Sequence, residues 1–85
     1  MEAALKQPGT RTLIKKGSLL NLKKGTLADI TDPFLKVRLY ELGFIAGRSI
    51  RVLSKSQISD YVMVLVSGQV FGLRKDEAAK ILVIA

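Results

Sequence analysis

Few residues in this sequence could do chemistry. It holds no histidine and no cysteine. That removes the Ser-His and Cys-His nucleophile pairs, and it removes the thiolate and imidazole ligands that hold zinc or ferrous iron tightly. A metal could be met only by carboxylates, carbonyls, hydroxyls and water, which suit Mg²⁺ or Ca²⁺. The adjacent acids Asp76 and Glu77 are the obvious candidates, but no third acid lies near them in sequence. They fit better as the start of a helical turn, where acidic side chains oppose the dipole favourably. Asp29 and Asp32 read as turn and cap residues. Gly25, Gly43, Gly47 and Gly68 form no Gly-x-x-x-x-Gly-Lys-Ser/Thr loop, so no phosphate cradle is visible. The sequence therefore offers no catalytic residues, no metal ligands and no cofactor site, and the chain is expected not to be an enzyme.

The remaining functional candidates are residues of recognition. Tyr40, Phe44 and Tyr61 could line a shallow groove, with Arg38 and Arg74 beside them. Readers of proline-rich ligands use an aromatic-lined groove, but the chain has only five aromatics, and Phe44 is expected in the core. Arg38 lies beside an apolar helical stripe, so it must reach solvent or find an acceptor. A loop carbonyl or a carboxylate is expected to bond it, and Arg74 is similar in kind.

The elements that must position these residues are short. Ser18-Leu19-Leu20-Asn21-Leu22 reads as a short turn or a single helical turn, closed by Gly25, and Thr26–Ile30 alternates like a strand. One helix is clear. Asp32 can cap it, and Pro33 sits at the favoured first position. Leu35, Leu39 and Leu42 then recur at i, i+4 and i+7 on one face. Gly43 can supply the left-handed stop, with Phe44 folding back onto Leu39. The period then becomes two. Ser49–Ser54 reads as a strand with Ile50 and Val52 on one face, residues 57–60 as a turn, and Tyr61–Val66 as a strand. Ser67-Gly68 turns that strand back into Val70–Leu73 as a hairpin. Arg74–Ala79 can make one helical turn before a last strand, Ile81–Ile84. The expected fold is mainly β: a small SH3-like barrel of about five strands, with one α-helix between the first and second strands. Tyr61–Val66 and Ile81–Ile84 are apolar on both faces. Their outer faces therefore need cover from the chain's own helix or leading segment, from a partner, or from a second copy in a homo-oligomer.

An 85-residue chain makes one domain. Nearly half its residues are hydrophobic, which argues against general disorder. The net charge of +7 is uneven. Residues 1–24 hold six basic residues against Glu2, a surplus of five, whereas residues 25–85 hold eight against six, a surplus of two. The basic character belongs to the leading segment, so residues 1–17 are read as a flexible basic extension and residues 18–85 as the domain. A basic leader can be attracted loosely to an acidic partner or an anionic lipid surface. A nucleic-acid reader would instead want a basic face on the fold, interleaved with stacking aromatics. No apolar run approaches the ~20 residues of a membrane span, and Lys6, Arg11, Lys15 and Lys16 interrupt any signal-like stretch. The expected location is the cytoplasm.

The ordered set of motifs from Ser18 to Val83 resembles the FeoA family. It comprises Leu19-x-x-Leu22-x-x-Gly25, the helix and stop Arg38-Leu39-Tyr40-Glu41-Leu42-Gly43-Phe44, the Gly47 ahead of Ser49-Ile50-Arg51-Val52, and the closing run Leu73-Arg74-Lys75-Asp76-Glu77-Ala78-Ala79-Lys80-Ile81-Leu82-Val83. Two loops depart from the family pattern. Ala46-Gly47 stands where Pro-Gly is frequent, and Ser59-Asp60-Tyr61 where Gly-Asp-Pro is frequent. The resemblance implies a cytosolic, non-enzymatic accessory of ferrous iron uptake. Such a protein binds and modulates the FeoB-type transporter, through its GTP-hydrolysing domain or a membrane-proximal part, and that partner can bring it to the membrane surface. The rival from another class is a small basic SH3-like module that binds RNA through Lys15, Lys16, Lys23 and Lys24. A third reading is a metal-sensing module, against which the missing His and Cys weigh.

Overall fold

A computed structural model describes residues 15–55 and 60–85 of the chain. The elements run β1 (Lys16–Ser18), α1 (Leu19–Leu22), β2 (Lys24–Ile30), α2 (Pro33–Glu41), β3 (Ser49–Lys55), β4 (Tyr61–Val66), β5 (Gln69–Arg74), α3 (Lys75–Ala79) and β6 (Ile81–Ile84). The strands form one sheet in the order β1-β6-β2-β3-β4-β5, and every ladder is antiparallel. Register shifts between Leu27 and Asp29 and between Val52 and Ser54 bend the sheet, as bulges do. The sheet curls so that β2 to β6 point their inner residues into one core with Leu19, Leu35, Leu39 and Phe44. No polar side chain is buried among the described residues.

Local chemistry explains the elements. Ser18 caps α1 by accepting from the Leu20 N–H at 3.1 Å. The Asp32 carboxylate caps α2 by accepting from Phe34 and Leu35, and Pro33 follows it as expected. At the other end of α2 the Gly43 N–H donates to Tyr40 O and the Phe44 N–H to Leu39 O, both at 3.0 Å. With Gly43 at φ +107°, this is a Schellman stop that drives the Phe44 ring inward beside Leu39. Burying Leu39 and Phe44 contributes about 1.5–3 kcal/mol each.

Several expectations need correction. There are six strands rather than about five; α1 and α3 are the two single turns expected, and α2 lies between the first long strand and the next. The sixth strand is β1. Its residues Lys16 and Gly17 were assigned by sequence to the extension, but they pair with Ile84 and Val83. Nothing in Lys-Gly-Ser signals a strand; the demand comes from β6, which buries Ile81 and Val83 and takes a neighbour on each side. The rest of the expected extension, residues 1–14, and most of the turn expected over 57–60 lie outside the described residues. Gly25 does not close α1; Lys23 does, in a left-handed conformation at φ +70°. Leu42 is not part of the buried stripe. It caps α2 just where the chain turns away, and it is 49% exposed.

Candidate functional site

The five candidate recognition residues fall in three places. Tyr40 and Phe44 come together. Tyr40 projects from α2, while Phe44 is buried at the Schellman stop and stacks at a tilt on Phe71, with ring centroids 5.1 Å apart. Between α2, β2 and the loop after α2 runs a groove of about 190 Å³. Phe44, Ile45, Ala28 and Tyr40 line it. At its rim the Lys36 ammonium meets the Asp29 carboxylate at 2.8 Å. Cofactor-sized pockets run to about 300–1,000 Å³, so this groove suits an apolar side chain rather than a cofactor.

Arg38 points to the other flank of α2 and donates to the Glu77 carboxylate. Glu77 also accepts from the Arg74 N–H at 3.0 Å, so one acid ties α2 to the start of α3. The carboxylate expected for Arg38 is therefore present. Tyr61 and Arg74 sit elsewhere, paired across the β4–β5 ladder, with the guanidinium 5.9 Å from the ring centroid. They share no pocket with Tyr40.

The rest of the α2 surface was not foreseen. Phe34 is 89% exposed, and Val37, Tyr40 and Leu42 are exposed with it. The signal was present in the sequence, because α2 carries apolar residues all round rather than on one stripe. The cations near this ridge are neutralised locally. Lys36 is paired with Asp29, Arg38 with Glu77, and Lys80 with Asp32 at 3.3 Å. The side-chain bond from Lys36, then the Ile30 N–H, holds the Asp29 carboxyl below the usual carboxylate range. The Leu35 N–H, then Lys80, does the same for Asp32. The ridge is thus apolar, with its flanking cations neutralised and the exposed Glu41 at its end.

Among the described residues nothing covers the outer face of β4 at Tyr61 and Met63. The helix packs over β2, so Tyr61 and Met63 remain exposed rather than covered by the chain's own helix. Among the described residues no group of three or more carboxylates gathers to hold a metal, and no helix is long and apolar enough to cross a membrane.

The sequence profile of the FeoA domain matches residues 13–85, so the chain belongs to the FeoA domain family, which is associated with ferrous iron transport. Among solved structures, a crystal structure of an iron uptake regulatory protein (FeoA) aligns at TM-score 0.67 and 22% identity, over 81% of this chain and 94% of that one. The FeoA of Chlorobium tepidum aligns at TM-score 0.60 and 30% identity, over 79% and 67%. The zinc-complexed FeoA of Stenotrophomonas maltophilia, described as a prokaryotic SH3 domain protein and a candidate ferrous iron transport activating factor, aligns at TM-score 0.60 and 27% identity, over 73% and 78%. The fold is therefore the SH3-like one expected. Among curated proteins, none matches this chain.

Proposed function

We propose that this FeoA-domain chain is an accessory of ferrous iron uptake that binds the cytosolic part of a FeoB-type transporter and modulates it by contact alone. Membership of the FeoA domain family carries this reading. The surface chemistry supports it. The chain presents an apolar ridge (Phe34, Val37, Tyr40) whose flanking cations are paired, beside a groove sized for one apolar side chain. Such a face suits a protein partner, because exposed apolar area is what a protein interface buries and an aromatic anchor is where its energy concentrates. Of the recognition candidates, the exposed Tyr40 on that ridge supports this contact, while Phe44 shapes the groove floor from inside.

The test is a titration of the chain against the detached cytosolic domain of the transporter and against the full transporter in detergent, at low and high salt. Contact through an apolar ridge gives binding that survives high salt, whereas binding by the basic leader fades. Tyr40→Ala should weaken binding at least about tenfold, on the scale of an interface anchor. Absence of binding to either form would defeat the proposal.

A further inference from the structure

Among the described residues the sheet ends in two unpaired edges, β1 and β5, and they are built differently. The β1 edge is guarded. It is three residues long, Lys15 and Lys16 charge it, and the Lys15 backbone is tied to Ala85 in both directions. The β5 edge carries none of these protections over Gln69–Leu73, where there is no charge and no proline. Its ladder with β4 runs without a bulge from Val66–Gln69 to Tyr61–Arg74.

The free backbone groups of β5 can be identified. Ser67 and Gly68 have φ of +53° and +79°, a type I′ turn, which makes Val66 and Gln69 a hydrogen-bonded pair. Alternation then gives Val64–Phe71 and Val62–Leu73 as bonded pairs, and the Lys75 N–H donating to Asp60 O at 2.6 Å continues the same series. Val70, Gly72 and Arg74 therefore turn their N–H and C=O groups away from β4. Glu77 takes the Arg74 N–H. Among the described residues, nothing takes those of Val70 and Gly72. Their outward surface is apolar: Val70 is 53% exposed, and a Cβ placed at Gly72 would meet only the Met63 sulfur, at 3.7 Å.

We propose that this edge pairs with a second copy of the chain, β5 against β5, antiparallel about a two-fold axis at Phe71. In that register Val70 faces the partner's Gly72, and every free N–H and C=O of the two residues is satisfied across the seam. The valine fills the space the glycine leaves beside Met63. Slipping the pairing one step sets Val70 against itself, which crowds the seam, or Gly72 against itself, which leaves a gap. The charges also agree. Arg74 comes opposite the partner's Gly68 rather than opposite its own copy. Asp76, exposed at the start of α3, comes to the end of the seam where Arg48 is held on Ser67 at 3.1 Å, so acid meets base at both ends. The net charge of +7 opposes self-association, so the dimer strengthens as salt screens it.

Sedimentation equilibrium of the full chain, from about 10 µM to about 1 mM and at low and high salt, tests this directly, with Val70→Lys and Asp76→Lys as variants. Both positions are exposed, and unchanged far-UV circular dichroism and melting confirm that the fold survives. The expected result is a monomer–dimer equilibrium that salt favours, with Val70→Lys raising the dissociation constant at least about tenfold and Asp76→Lys raising it less. A wild-type chain that stays monomeric throughout, or a Val70→Lys chain that dimerises as well as wild type, overturns the proposal. A monomeric chain whose transporter binding is nevertheless lost in Val70→Lys would place a foreign strand on the edge, and it too overturns self-pairing. Because the readout needs no transporter, it is independent of the proposed function.

Discussion

Gly25→Ala should be among the most damaging conservative changes in this protein. Gly25 sits near the start of β2, opposite Ile50 of β3 and just before Thr26, where the strand takes up its pairing with β6 at Ile84. A Cβ built there would lie 2.6 Å from the Ile84 carbonyl oxygen, 3.0 Å from the Ile84 carbonyl carbon and 3.2 Å from the Val83 Cβ. Two of these neighbours are backbone, so no rotamer change relieves the overlap. The strands must separate where Val83 packs into the core. Forcing a methyl group into such a contact costs about 1–3 kcal/mol. A domain of this length has a total stability of about 4–13 kcal/mol, so the change removes a sizeable part and lowers Tm by roughly 5–20 °C. Urea unfolding followed by far-UV circular dichroism measures it. Gly17→Ala in β1 is the control, because its added Cβ meets only the Leu22 side chain at 3.5 Å and should change stability by no more than about 0.5 kcal/mol. A Gly25→Ala chain as stable as that control would refute the close-approach argument.

Other outcomes follow from the same contacts. Leu39→Ala empties a fully buried position under α2 and should cost about 2–5 kcal/mol in urea unfolding. Glu77→Ala should destabilise more than Arg38→Ala, because it removes both the bond to Arg38 and the acceptor of the Arg74 N–H; parallel thermal melts decide it. The lowered carboxyls of Asp29 and Asp32 set a sign for pH. Their contribution is complete above the ordinary aspartate value near ~4 and is lost as pH falls through the depressed folded values. An Asp32→Asn chain should therefore lose less stability than wild type between about pH 5 and pH 2, as read by urea midpoints against pH.

What could be read from the sequence was local. Asp32-Pro33 and Gly43-Phe44 announce the start and stop of α2 because capping needs particular residues at particular places. Ser67-Gly68 announces its hairpin for the same reason. What was hidden depends on partners distant in sequence. β1 exists because β6 needs a second neighbour, and the role of Gly25 depends on a carbonyl 59 positions away at Ile84. Leu42 kept the helical spacing but lost its place inside because the chain turns at that residue. For recognition, Tyr40, Phe44, Tyr61, Arg38 and Arg74 stand out by residue type, and the fold scatters them. The groove needs Ala28 and Ile45, and the ridge needs Phe34 and Val37, none of which stands out until α2 is seen packed on β2.

The measurement that bears most directly on this account is the binding of the full chain to the cytosolic domain of a FeoB-type transporter at low and at high salt, wild type beside Tyr40→Ala and Phe34→Ala. Contact through the α2 ridge gives wild-type binding that persists at high salt and falls at least about tenfold in both variants, with their melting temperatures unchanged. Binding that vanishes with salt, or that ignores both substitutions, would contradict the assignment of the α2 ridge as the contact face.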